Sequence, residues 1–302
     1  MLKEIKEVGK RGVIFQYEDH NLVYLIKGDK RLYLCDTHLG SDSMEFVKNY
    51  IAKNDLENKE LVIFNSHSDY DHNWGNFVFS EKLIIGHELN LERFKLRGKY
   101  DLEMKNDFKN GKVELAYPNL TFKKRLSFAD DEIEFIYLPG HTIDSAICLD
   151  KKDSTVYVGD LVEIPIPMIL WENIEVFIES LEYLKGMSVE RYIASHSGIV
   201  DEKDIDANLD YLKKLNNCEK QVFKHEGINR VHEFNKKNVL MKQFEEMAKS
   251  KLKNKFDFKE FKINFWKELG VKSSELENEF YFLLDTDQER LKNAFKEYLK
   301  NL

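Results

Sequence analysis

The sequence predicts a mixed α/β sandwich over about the first 200 residues, joined to an all-helical extension of roughly one hundred more. Two observations carry this. Up to about residue 200, short apolar or β-branched runs are broken by turns and separated by occasional helical patterns. After Gly198 strand-like alternation stops, proline is absent, and Leu, Phe and Met recur at helical spacing among Lys and Glu.

The first expected strands are Val13–Tyr17, Leu22–Ile26, Arg31–Cys35 and Leu61–Asn65. A helix is expected between the last two, because Met44, Phe46, Val47, Tyr50 and Ile51 share one face behind the capping cluster Ser41, Asp42 and Ser43. Leu83–Ile85 reads as a strand and His87–Leu96 as a helix. Strands then fit Leu120–Phe122, Ile133–Leu138, Ala146–Leu149 and Thr155–Val158. Ile174–Leu184 has helical apolar spacing, and Tyr192–Ala194 supplies one more short strand. In the extension, helices are expected over Asp204–Phe223, Val239–Leu252, Lys259–Leu269 and Ser274–Leu302. The division that follows is an α/β domain over 1–202 and a helical extension over 203–302.

At 302 residues, one large domain with an appendage is the simplest arrangement. Apolar residues at 42% and charged residues at 33% give the balance of a folded, well-solvated protein. The 54 acidic and 46 basic side chains leave a formal charge of −8, which repels a phosphate backbone and argues against nucleic acid as a partner. Lysines after residue 200 alternate with glutamates, the pattern of a solvated helix face. Cys35, Cys148 and Cys218 lie far apart without CxxC spacing, which suggests neither a disulfide framework nor a cysteine zinc site and fits a reducing cytoplasm. Residues 1–12 mix Lys and Glu without an apolar signal core, and no run reaches membrane-spanning length. Neither secretion nor a membrane partner is expected.

Chemistry concentrates in Asn65-Ser66-His67-Ser68-Asp69-Tyr70-Asp71-His72, directly behind the apolar run Leu61–Phe64. Alternating strand side chains cannot bring four potential ligands to one side, whereas a loop leaving the strand end can. Three later segments repeat the setting: Leu138-Pro139-Gly140-His141, Tyr157-Val158-Gly159-Asp160 and Ala194-Ser195-His196. Alone, each His would read as a hydrogen-bonded structural residue and each Asp as a turn or cap. Together and in this order they read as a metal site.

At these residues the sequence resembles the metallo-β-lactamase superfamily, whose members carry an H-x-H-x-D-H loop, two later histidines and an intervening aspartate. Here the loop reads H-x-D-x-D-H. The resemblance covers about residues 10 to 200 and includes Leu34-Cys35-Asp36-Thr37, similar to an early family strand ending in Asp-Thr. It implies a four-layer αββα sandwich with a two-metal site. By position, His67, Asp69 and His141 would bind the first ion, Asp71, His72 and His196 the second, and Asp160 would bridge them. Zinc is the first expectation, with iron or manganese as alternatives. The implied enzyme is a hydrolase whose metal-bound hydroxide attacks an ester, lactone, thioester, amide or phosphoester of a small molecule, with Asp71, His72 and Asp160 nearest the chemistry. The resemblance leaves the substrate open.

Asp69 departs from the family's histidine. Two divalent ions, three carboxylates and one hydroxide sum to zero charge, whereas the histidine version keeps one positive charge, so Asp69 favours harder ions. Being shorter than His, it also reaches the first ion only if the loop moves inward. A carboxylate there is similar to the flavodiiron proteins, where Glu occupies the position, which makes a diiron redox or oxygen-binding protein the second functional class. Those proteins continue into a flavodoxin-like domain, for which the residues after 200 offer no βαβ alternation.

Candidates for substrate contact are His38, after Asp36-Thr37, Tyr70 and Trp74 beside the ligand loop, and Trp171 with the run Ile164-Pro165-Ile166-Pro167-Met168. Core packing, or for His38 a surface position, is the plain alternative for each. His87 reads as structural, and His20, His225 and His232 as solvent-exposed. The extension is compatible with capping the site, pairing two subunits as a homodimer, or completing the core.

Overall fold

The computed structural model describes residues 1–301, and of Ser274 and Glu277 the backbone alone. Strands β1 (Leu2–Val8), β2 (Gly12–Tyr17), β3 (Leu22–Lys27) and β4 (Arg31–Cys35) form an antiparallel run. The same sheet continues in parallel from β4 through β5 (Glu60–Phe64), β6 (Leu83–His87) and β7 (Leu120–Phe122). A second sheet holds, in spatial order, β8 (Arg125–Phe128), β9 (Ile133–Tyr137), β10 (Ala146–Asp150), β11 (Thr155–Gly159), β12 (Arg191–Ala194) and β13 (Gly198–Val200). Its strands are antiparallel except for the parallel pair β11 and β12.

The two sheets face each other through Tyr24, Tyr33, Val62 and Phe64 on one side and Phe135, Ala146, Cys148 and Tyr157 on the other. Phe64 and Phe135 stack with centroids 4.4 Å apart. Each such fully buried apolar side chain contributes on the order of 1.5–3 kcal/mol. Helix α1 (Ser41–Lys53) lays Met44, Val47 and Ile51 on the outer face of the first sheet, the stripe its spacing predicts. Helices α2 (Tyr70–Asn73) and α3 (Glu88–Met104) follow β5 and β6. The outer face of the second sheet is covered by Phe177 and Leu181 of α4 (Ile174–Lys185) and by Ile205 and Leu209 of α5 (Glu202–Asn216). The result is an αββα sandwich.

Helix α5 thus packs as part of the sandwich, and the helices with a core of their own begin at α6 (Glu226–Leu252). It packs with α7 (Phe258–Glu268), α8 (Glu279–Asp285) and α9 (Gln288–Lys300) around Phe244, Phe261, Phe265, Trp266 and Phe295. Among the described residues no helix is long and apolar enough to cross a membrane.

Several elements differ from the sequence reading. Helix α6 begins at Glu226 rather than Val239, because the face it buries there is polar, with His232, Asn235 and Asn238 inside. Helix α3 runs on to Met104 past Gly98, where a Cβ would stand 2.9 Å from the Phe94 ring. Helix α5 stops at Asn216, short of Phe223. The helix expected over Ser274–Leu302 is broken. Its α8 part ends at Asp285, and Asp287 starts α9 by accepting the Arg290 N–H; Leu302 lies outside the described residues. Strand β1, Leu-Lys-Glu-Ile-Lys-Glu-Val, has no strand-like period, since its charged residues guard a sheet edge. The short β8 and β13 also lie outside the strands expected from the sequence.

Candidate metal centre

Four strand ends converge on one point. The loop after β5 carries His67 and Asp69, and α2 carries Asp71 and His72; His141 follows β9, Asp160 follows β11 and His196 follows β12. Gly159 sits at φ +57°, and a Cβ there would stand 2.8 Å from the Ser66 side chain. The turn that releases Asp160 therefore needs glycine.

The facing atoms form two clusters around Asp160. In the first, Asp69 Oδ2 lies 3.8 Å from His67 Nε2 and 3.7 Å from His141 Nε2. In the second, Asp71 Oδ2 lies 3.7 Å from His72 Nε2 and 3.4 Å from His196 Nε2. Asp160 Oδ2 reaches into both, at 3.6 and 3.7 Å from His67 and His141 and 3.2 and 3.3 Å from His72 and His196. Most of these separations are too long for good hydrogen bonds. They match the edges of a coordination shell, since bonds of about 2.0–2.2 Å set tetrahedral ligands roughly 3.3–3.6 Å apart.

The surrounding hydrogen bonds fix which nitrogen faces inward. His72 Nδ1 donates to Asp36 Oδ2 at 2.8 Å and His141 Nδ1 to the Met168 carbonyl at 3.0 Å. Both partners are acceptors, so Nδ1 carries a proton and Nε2 is the nitrogen that faces into the site. Asp36 is itself held by the Ser66 N–H, the Ser66 hydroxyl and the Tyr157 hydroxyl at 2.7, 2.6 and 2.7 Å. The Ser66 oxygen is left to accept from His67 Nδ1 at 3.0 Å. His67 Nε2, His72 Nε2 and Asp160 Oδ1 are buried without a hydrogen-bond partner. Buried imidazole nitrogens without partners, grouped with carboxylates, are what divalent cations satisfy, so the residues present fit two such ions.

Burial opposes charge on every one of these groups, and the opposite charges overcome it. Asp71 is held down at about 2 by His72 and His196, and Asp160 well below the usual carboxylate range by the same two histidines. Against its burial, Asp69 is held low by His141, His67, Arg97 and Arg93. Conversely, Asp69 and Asp160 raise His141 to about 9, while Asp160 and Asp71 raise His72 and His196 well above the usual histidine value. His67 is the exception, lowered by burial and by His72. Three histidines thus carry protons that a cation would displace.

The family model described as the metallo-beta-lactamase superfamily matches residues 17–196. The chain belongs to the metallo-beta-lactamase superfamily. A metallo-beta-lactamase from Pontibacter korlensis superposes with a TM-score of 0.54 at 17% identity, covering 70% of this chain and 99% of that one. The DIM-1 metallo-beta-lactamase gives 0.55 at 15%, covering 71% and 100%, and TMB-1 gives 0.54 at 16%, covering 71% and 98%. At such identities the likeness is one of fold. No curated protein matches the sequence. Membership in the superfamily supports a metal-dependent hydrolase in general.

Within this superfamily frame, the structure brings all seven expected ligand residues together, Asp69 included, since its loop carries Oδ2 to the same distances as its neighbours. Its other oxygen, Oδ1, stands 3.9 Å from both Arg93 Nη2 and Arg97 Nη1, four residues apart on one face of α3. Each guanidinium also has a carboxylate of its own, Arg93 Nε at 2.7 Å from Asp144 and Arg97 Nε at 3.8 Å from Asp101, and the charge sum over the ligands omits all four groups.

The expected substrate contacts fare differently. His38 is buried, bonded to Ser43 and Asp19 through its two ring nitrogens and stacked on Tyr17, so it is neither at the surface nor free to meet a ligand. Trp74 is wholly buried under Tyr70 and offers no wall to a pocket. Tyr70 is half-buried between Trp74 and Phe108, while Trp171 lines a charged cavity with Arg93 and Lys242. His87 caps α3, as a structural histidine would. His232 is buried against Tyr211 rather than exposed.

Sequence reasoning missed Arg93, Arg97, Asn21, Glu163 and Asn235. Asn21 donates to Asp71 at 3.1 Å on its carbonyl and 3.4 Å on Oδ2. Glu163 accepts the Met168 N–H at 2.5 Å. Asn235 of α6 grips the residues on either side of Met168, donating to Pro167 O at 2.8 Å and accepting the Ile169 N–H at 3.0 Å. Asn238 adds a bond to Ile169 O at 2.7 Å. An i, i+4 arginine pair was the one available signal, and it reads equally well as a solvated helix face.

Proposed function

We propose that the protein hydrolyses a small-molecule ester, lactone, thioester, amide or phosphoester, using two divalent cations of which zinc is the first choice. The observation that carries this reading is the pair of clusters sharing Asp160, with His67 Nε2 and His72 Nε2 directed inward, buried and without hydrogen-bond partners. His67, Asp69 and His141 would hold one ion, Asp71, His72 and His196 the other, and Asp160 would serve both. Such ions bring a water to ionise near neutral pH and polarise a carbonyl or phosphoryl oxygen.

The chain's own residues orient and gate. Asp36 and the Met168 carbonyl keep His72 and His141 in the tautomer that presents Nε2. Substrate approaches from the second cluster, where the side chains of His196 and Asp71 are 28% and 21% exposed while His67 and His72 are sealed at 1% and 0%. Cys35 and Cys148 are buried free thiols, which suits a reducing, cytoplasmic setting.

Metal content measured together with turnover on esters, lactones and phosphodiesters tests the proposal. Two bound ions and hydrolysis of one class support it. Full metal occupancy without hydrolysis of any substrate removes it, and an iron-loaded protein with visible absorption when purified without oxygen would point to the diiron class instead.

A further inference from the structure

Beside the second cluster lies a cleft of about 280 Å3 with His196 itself in its wall. Glu163, which accepts the Met168 N–H, and Ile164, whose N–H donates to the Ser197 hydroxyl, line the cleft with Met168, and the first turns of α6 close it with Ile228 and Val231. No lysine or arginine lines it. Away from His196 the lining is mostly apolar, with Glu163, Ser197 and His225 as its polar members, so an apolar group fits the cleft better than an anion. Ile164, 52% exposed, places an apolar side chain in water at the cleft, as at sites that receive apolar ligands. At about 30 Å3 for each water-sized group, the space takes roughly nine heavy atoms. A second cavity near the centre is lined by Arg93, Lys242, Lys249, Glu245 and Glu246, and none of the seven ligand residues lines it.

The geometry points to the cleft as the subsite for an uncharged aliphatic chain of the substrate, of about six carbons, placed so that the scissile group meets the cluster at His196. This rests on the hydrolase reading given above. It also gives the helical extension a task, because Ile228 and Val231 come from α6: the extension selects the substrate by shape and polarity.

The test uses the zinc-loaded full-length protein and two probes. Binding of 1-hexanol, uncharged and inert, is measured by saturation-transfer NMR and calorimetry. Hydrolysis of p-nitrophenyl acetate, butyrate and hexanoate is followed in parallel. Val231→Trp fills the cleft; Ile164→Asp, at a half-exposed position that does not threaten folding, puts a charge in its wall. Wild type is expected to bind hexanol at least about tenfold more tightly than either variant, and its KM to fall about threefold per added methylene. Both variants should flatten that series. Equal hexanol binding by all three proteins, or none by any, overturns the subsite whatever the esters show. Hexanol binding that both variants lose, with no ester turned over, keeps the subsite and removes ester hydrolysis. Turnover indifferent to chain length, without a hexanol difference, keeps the hydrolase and removes the subsite.

Discussion

The two halves of the metal centre are braced from different places. Asp71 and His72 are held from within the sandwich: Asp36 at the end of β4 accepts the His72 Nδ1–H, and Asn21, between β2 and β3, donates to Asp71. His141 and Asp69 are braced from helices outside the sheets. The Met168 carbonyl orients His141 from a segment gripped by Asn235 and Asn238 of α6, and Arg93 and Arg97 of α3 stand behind Asp69. One half is thus a product of strand ends, while the other depends on α6 being docked. The extension thus braces one half of the candidate centre.

Asp160 is the residue both halves share, and its loss should have the largest effect. Asp160→Ala is expected to lower metal occupancy in both halves and turnover by at least about a hundredfold, more than loss of an outer hydrogen-bond partner costs. Far-UV circular dichroism should stay that of a folded protein. Wild-type turnover in the variant would end the two-cation reading.

The bracing difference can be broken one half at a time. Asp36→Asn should weaken the second half by about 10- to 100-fold, because it alters the acceptor of His72 Nδ1–H, and Asn235→Ala the first half by about tenfold, because it loosens the segment whose Met168 carbonyl orients His141. A chelator titration that follows the release of both ions should show each variant losing a different ion early. Were both to lose the same ion first, the division drawn here would be mistaken.

The charges of the two halves also predict a pH dependence. His141, near 9, and His72 and His196, well above the usual value, are protonated at pH 7 in the metal-free protein and must lose those protons to ligate. Affinity should therefore rise with pH up to the raised histidine values and fall as pH drops below neutrality. Zinc uptake at pH 7 should release on the order of two to three protons, counted by calorimetry in buffers of different ionisation enthalpy. No net release would mean that these histidines are not ligands.

The same contrast explains what could be read from the sequence. The sandwich was legible because its layers obey simple periods, as in Met44, Val47 and Ile51 of α1, and because the strand-end residues follow a spaced pattern from His67 to His196. The outer bracing was not. Asn235 and Asn238 are buried polar residues at positions where a hydrophobic period expects apolar ones, so the first half of α6 looked like loop. Arg93 and Arg97 look like any solvated pair until the fold sets them against Asp69. The exposed edge strand β1 and the break before Asp287 fail for local reasons, surface charge and a cap inside an apolar run.

The smallest expected effect concerns metal preference in the first half. Exchanging carboxylate for imidazole softens the ligand set, so Asp69→His should move the bound metal toward zinc in a medium that also contains manganese and iron. The structure tempers that expectation, since the change also removes the carboxylate that stands between the candidate site and Arg93 and Arg97, which keep Asp144 and Asp101 as partners but then face a cation directly. Their repulsion should lower affinity for every divalent ion while the ratio shifts severalfold toward zinc. Adding Arg97→Gln should restore much of the lost affinity and keep the shifted ratio. Metals would be counted after purification of wild type, Asp69→His and the double variant from one mixed-metal culture. An unchanged ratio in both variants would show that Asp69 answers to the arginines alone, and that the centre's metal preference is set by the residues around Asp160.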